Sequence, residues 1–129
     1  MNQEELMQKL QVAVAFHNQG ELDRAEAIYR EVLCFDIHNF FALNGLGCLQ
    51  KQKYNYIEGI SLLSRAVQSQ PENPYAHYNL GNVFKAAQRW NEAIDCYEKS
   101  LHLRPENPEL LSILGACYCN VERYKSSVS

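Results

Sequence analysis

The sequence predicts an all-α chain built as a stack of antiparallel helix pairs, on three observations. The tetrapeptide Pro-Glu-Asn-Pro occurs at 71–74 and again at 105–108, 34 residues apart. The same interval aligns small residues at Ala13, Gly47, Gly81 and Gly115, and again at Ala25, Gly59, Ala93 and Ser127. It also aligns larger apolar residues, at Val12, Leu46, Leu80 and Leu114 and at Leu22, Tyr56, Trp90 and Tyr124. A period of this size marks a repeat stack, in which each unit buries its apolar face against the next.

The elements follow in order. Leu6, Leu10, Ala13 and Phe16 form one apolar stripe at helical spacing, and Ala25, Tyr29, Val32 and Leu33 form a second. Asn18-Gln19-Gly20 stops the first helix, and Glu21 and Asp23 favour the positive end of the next. Leu43, Leu46 and Leu49 then lead through a polar joint at 50–55 to Ile60, Leu63 and Val67. Tyr78, Leu80, Gly81 and Phe84 lead through Gln88-Arg89 to Trp90, Ile94, Tyr97 and Leu101. The pairs therefore occupy approximately 6–39, 40–73 and 74–107, with a fourth, partial unit at 108–129, all in one domain spanning 1–129. Its first helix carries Leu110, Leu111, Leu114 and Tyr118, and its second is expected to begin at Tyr124.

The prolines punctuate these pairs. Pro71 and Pro105 each end a helix, having no N–H and disfavouring helix in the residue before them. Asn73 and Asn107 cap the next helix, with Pro74 and Pro108 at its first position. The first joint, Ile37-His38-Asn39, keeps the asparagine and lacks the proline. Glycine in mid-helix costs about 1 kcal/mol against alanine. Its recurrence at 47, 81 and 115 implies a close crossing of the two helices of a pair, such as Gly81 facing Ala93 with Trp90 and Phe84 around them.

Composition narrows the function classes. A 47% hydrophobic and 21% charged chain can bury a core, so wholesale disorder is excluded. The net charge of −3 arises from residues 1–39, where three Lys/Arg stand against seven Asp/Glu. No basic block offers an electrostatic grip on nucleic acid. The five cysteines are odd in number and contain no Cys-x-x-Cys pair, which fits reduced thiols in a cytoplasmic setting better than a disulfide framework. No stretch approaches a membrane span, and no secretory signal begins the chain.

A catalytic constellation is missing from the pattern. His17, His38, His77 and His102 have no i, i+4 partner and no His-Glu-x-x-His frame, and the glycines are single rather than gathered in a phosphate loop. Acid pairs such as Glu92 with Asp95 read as ordinary surface residues. The expectation is a non-enzyme with no cofactor and no metal.

The segments Tyr78-Asn79-Leu80-Gly81-Asn82-Val83-Phe84 and Trp90-Asn91-Glu92-Ala93-Ile94-Asp95-Cys96-Tyr97, with Leu101 and Pro105, resemble a tetratricopeptide repeat. The 40–73 copy keeps Leu46, Gly47, Tyr56, Ala66 and Pro71, and the 6–39 copy keeps Phe16, Leu22, Ala25 and Tyr29. The resemblance implies a right-handed superhelical stack whose concave groove is lined by the first helix of each pair. At helical spacing the lining would be Phe41, Asn44, Cys48 and Lys51 in the second pair and Tyr75, Tyr78, Asn82 and Lys85 in the third, with Asn79 on the edge. These supply aromatic bodies for apolar side chains, amides for a peptide backbone and two lysines for a carboxylate.

Two family subtypes are disfavoured. The carboxylate clamp of chaperone-binding members would fall on Leu10, Val14, Gly45, Tyr75 and Asn79, or one repeat later on Asn44, Cys48, Asn79, Glu109 and Ile113. Neither set supplies the cations. The asparagine ladder of O-linked glycosyltransferases would fall on Gln11, Gly45, Asn79 and Ile113, which holds one asparagine. The expected function is thus a protein-interaction scaffold binding a peptide segment of a protein partner, with neither nucleic acid nor membrane involved. The alternatives are the N-terminal repeat region of a larger enzyme, such as a glycosyltransferase or methyltransferase, and a self-assembly module. The last would form a homo-oligomer through the uncovered end at Leu110, Leu111, Leu114 and Tyr118.

Overall fold

The computed structural model describes residues 1–128, and side chains through Glu122. Seven α-helices follow one another: α1 Gln3–Asn18, α2 Leu22–Phe35, α3 Phe40–Gln52, α4 Tyr56–Ser69, α5 Pro74–Ala86, α6 Trp90–Leu103 and α7 Pro108–Val128. Three pairs form, α1 with α2, α3 with α4 and α5 with α6, and α7 packs on α6. Among the described residues none is in a strand, and no helix is long and apolar enough to cross a membrane.

The joints between pairs are capped as their asparagines predict. Asn39 Oδ1 accepts from the Ala42 N–H at 3.0 Å, Asn73 Oδ1 from Tyr75 N–H at 2.9 Å, and Asn107 Oδ1 from Leu110 N–H at 3.2 Å. Each satisfies one of the donors that a helix start leaves unpaired.

The turns within pairs repeat just as closely. Gly20, Tyr54 and Gln88, each 34 residues from the next, have φ of +81°, +65° and +62°. After each, an amide reaches back across the helix end: Glu21 N–H to Phe16 O at 2.9 Å, and Asn55 to Gln50 and Arg89 to Phe84 at 2.8 Å. This is the Schellman arrangement. Glycine adopts it freely, whereas Tyr54 and Gln88 pay about 1–2 kcal/mol for the left-handed backbone. Their second helices, packed along the first, offset that cost.

The fourth unit departs from the expected plan. Glu122 stands where Gly20, Tyr54 and Gln88 stand, yet α7 runs through it to Val128, and no second helix begins at Tyr124. The packing expected for Tyr124 and Ser127 lies outside the residues whose side chains are described.

Two apolar cores fill the stack. Leu6, Leu10, Ala13, Tyr29, Leu43 and Leu46 lie in the first, and Leu63, Val83, Tyr97, Leu110, Leu114 and Cys117 in the second. The small column works as a crossing: a Cβ on Gly59 would come 3.3 Å from the Gly47 carbonyl oxygen. The side chain nearest Gly81 is Tyr97, where the spacing pointed to Ala93 with Trp90 and Phe84 around it, and Leu63 takes that place over Gly47. A Cβ on Gly115 would meet nothing within 4 Å.

Candidate functional site

The stack has an inner side. First helices of successive pairs pack on each other, α1 on α3 and α3 on α5, while among the described residues the second helices make no comparable packing. The face formed by α1, α3 and α5 is therefore the concave one.

The nine groove residues read from the spacing all lie on α3 and α5, and none is buried. Phe41 and Tyr75 are each 57% exposed, large apolar bodies left facing solvent. Asn44, Cys48, Lys51, Tyr78, Asn79, Asn82 and Lys85 are half-buried. The structure joins several of them. Asn79 Nδ2 donates to Asn44 Oδ1 at 2.8 Å, linking the two pairs across the groove floor. Asn82 Oδ1 accepts from the Tyr97 hydroxyl at 2.6 Å, so it supports the buried core as well as lining the groove. The Arg104 guanidinium lies over the Tyr75 ring and hydrogen-bonds its hydroxyl. Burial pushes the Cys48 thiol above its ordinary value, and the nearby Lys51 ammonium only partly opposes this, so the thiol stays protonated at neutral pH.

The open-end residues divide. Leu110 and Leu114 are buried in the second core, as is Cys117. They belong to the inward face of α7, which α6 covers, and this corrects the expectation that all four apolar residues lie open. Leu111 and Tyr118 remain exposed on the other face with Gly115, and the Tyr118 hydroxyl hydrogen-bonds Glu98.

Residues of the first pair, absent from the groove read from the spacing, also line the concave face. Met7, Leu10, Gln11 and Val14 of α1 meet Phe41, Asn44 and Gly45 of α3 around a cavity of about 400 Å³ with Tyr29 at its floor. Gly45 lets the Tyr29 ring lie against its backbone, since a Cβ there would come within 2.5 Å of the ring. Burial pushes the Tyr29 hydroxyl up to about 12, so it stays neutral. The readable signal was Gly45 itself, a glycine in a helix with no turn to explain it.

Other concavities carry less organised chemistry. A cavity of about 710 Å³ among α4, α5 and α6 is lined by Val67, His77, Asp95, Glu98 and His102, and His77 Nε2 lies 2.7 Å from the Pro71 carbonyl oxygen. Among the described residues no group of three His, Cys, Asp or Glu side chains is placed to hold a metal ion.

The comparisons agree with this architecture. The tetratricopeptide repeat family profile matches residues 74–107. A search of curated proteins gives no match. Among solved structures, the first tetratricopeptide domain of Spaghetti (RPAP3), bound to the HSP90 peptide SRMEEVD, superposes with a TM-score of 0.89 at 20% identity, covering 95% of this chain and 97% of that one. A mutant O-GlcNAc transferase of Thermobaculum terrenum gives 0.83 at 29% identity, over 91% of this chain and 23% of that one. MamA of Desulfovibrio magneticus RS-1 gives 0.84 at 22% identity, over 95% and 70%. One repeat, residues 74–107, matches the tetratricopeptide repeat family in sequence, and the whole stack shares the fold of tetratricopeptide domains.

Proposed function

We propose that this chain is a protein-interaction module without catalysis of its own, and that it takes a peptide segment along the concave face of α1, α3 and α5. The observation that carries the reading is the lining: two exposed aromatics in register, Phe41 and Tyr75, beside the joined amides Asn44 and Asn79. Aromatic bodies hold apolar side chains, and amides pair with an extended backbone. The peptide present in the RPAP3 domain, which shares the fold, supports it.

Replacing Phe41 and Tyr75 together by alanine tests this, with circular dichroism to confirm the fold. Both side chains are mostly exposed, so helicity should be retained while captured partner is lost from a native lysate. Undiminished capture would move the site to another face. Asn82 is a poor target, because its loss leaves the buried Tyr97 hydroxyl without its acceptor.

A second reading is a repeat region serving a larger enzyme. The Thermobaculum transferase favours it, since the match covers under a quarter of that chain. Sequencing the transcript on both sides of this segment tests it: a contiguous catalytic domain supports the reading, and a stop codon directly after Ser129 overturns it.

A further inference from the structure

We propose, resting on the groove reading above, that the ligand is an internal segment of a protein whose large aliphatic side chain enters the Met7–Gly45 cavity and whose acidic side chain, about three residues away, meets Lys51 and Lys85.

The cavity selects the anchor. Its lining contains no charged side chain, and its walls are Met7, Leu10, Val14 and Phe41. A charged anchor would lose its hydration there with no partner of opposite sign, whereas an aliphatic one gains from burial. The cavity exists because of two residues. Tyr29 lies against Gly45, whose lack of a side chain lets the ring sit back against the α3 backbone and form the cavity floor. One pair further on, the corresponding position is Asn79, whose amide occupies that place and bonds Asn44. The groove therefore has an apolar half at α1–α3 and an amide half at α3–α5.

Charge sets the second contact. Lys51 and Lys85 occupy one row of the concave face, and among the described residues neither is paired with an acid, although most other cations on the stack are. Lys51 follows Asn44 by seven residues, two helical turns, so both lie on one face about 10 Å apart along α3. Lys85 sits one helix spacing further, roughly another 8–10 Å. An extended segment advances about 3.3–3.6 Å per residue, which puts an acid about three residues from the anchor within reach of Lys51. Leu10, Val14, Gly45, Tyr75 and Asn79 give no cluster of cations for a terminal carboxylate, so the segment needs no free C-terminus.

The test uses the 129-residue chain against random dodecapeptides displayed with both ends linked, followed by fluorescence anisotropy on the enriched sequence made with acetyl and amide caps. Enrichment of Leu, Ile or Met about three residues from Asp or Glu is expected. Val14→Asp, at a half-exposed position and with circular dichroism to confirm the fold, should weaken the capped peptide at least tenfold. Lys51→Glu with Lys85→Glu should weaken it as well, and exchanging the peptide's acid for lysine should restore binding to that variant. Enriched peptides that depend on Phe41 and Tyr75 but are indifferent to Val14→Asp would overturn the anchor and leave the groove standing. An enriched sequence without an acid, or one unaffected by the lysine reversal, would overturn the charge contact. No enrichment at all would overturn the groove reading and this inference with it.

Discussion

Tyr29 and Tyr97 hold the same place in the first and third pairs, yet each is accommodated by a different glycine. Tyr97 lies over Gly81 of its own pair, where a Cβ would approach its ring to 2.7 Å. In the first pair that column holds Ala13, and Tyr29 lies instead against Gly45 of the next pair. The two junctions differ in polarity too. Buried Gln50 donates to Glu26 at 3.0 Å, and Lys53 and Arg30 also bond that carboxylate, tying α2 to α3. One period on, the places of Glu26 and Gln50 are taken by Ile60 and Phe84, Phe84 buried in the second core and Ile60 packed against it. A repeat stack keeps its helix spacing while each junction chooses its own chemistry, and the place where the glycine falls decides where a cavity opens.

The largest expected effect tests the two glycines. Gly45→Ala and Gly81→Ala each push a methyl into a buried ring, an overpacking cost of about 1–3 kcal/mol against about 1 kcal/mol of helix propensity regained. Chemical denaturation should show both destabilised, and two unchanged midpoints would break the comparison.

Acid should loosen the first junction and spare the second. Burial alone would raise the Glu26 carboxyl, but hydrogen bonds from Lys53, Arg30 and Gln50 outweigh it and hold the group below its ordinary value of 4.5. A carboxyl depressed in the folded state stabilises above its unfolded pKa, and this contribution is lost as pH falls through the folded value. Between about pH 5 and about pH 3 the wild type should therefore lose more melting temperature than Glu26→Gln. Parallel decline of the two proteins would remove Glu26 from the account.

Tyr97→Phe removes a 2.6 Å bond to Asn82 and should cost about 1 kcal/mol. Tyr29→Phe removes only a 3.5 Å contact with His17 and should cost under about 0.5 kcal/mol. Equal losses would show that the hydroxyls are not what distinguishes the pairs. The smallest effect carries the opposite sign. Gly115 has open space where Gly81 meets Tyr97, so Gly115→Ala should stabilise by up to about 1 kcal/mol.

The helices and their caps were legible because each rests on local chemistry, as at Asn73-Pro74 and Asn107-Pro108. That the nine residues proposed for the groove fall on unburied positions of α3 and α5 was legible, because helical spacing sets which residues share a face. Three features were not. The Tyr29–Gly45 contact joins residues of different pairs, and only packing reveals which glycine receives the ring. Leu110 and Leu114 look as exposed as Leu111 until α7 is set against α6. The missing turn at Glu122 has no residue signal, since Tyr54 and Gln88 make that turn without glycine and Glu122 does not make it at all.

The most direct measurement is a nitrogen–proton chemical-shift titration of the labelled chain with the capped peptide. The largest shifts are expected at Met7, Val14, Gly45 and Lys51, with the α4–α6 side at Asp95 and His102 unmoved. Shifts concentrated at Asp95 and His102, with Gly45 unmoved, would contradict the groove reading.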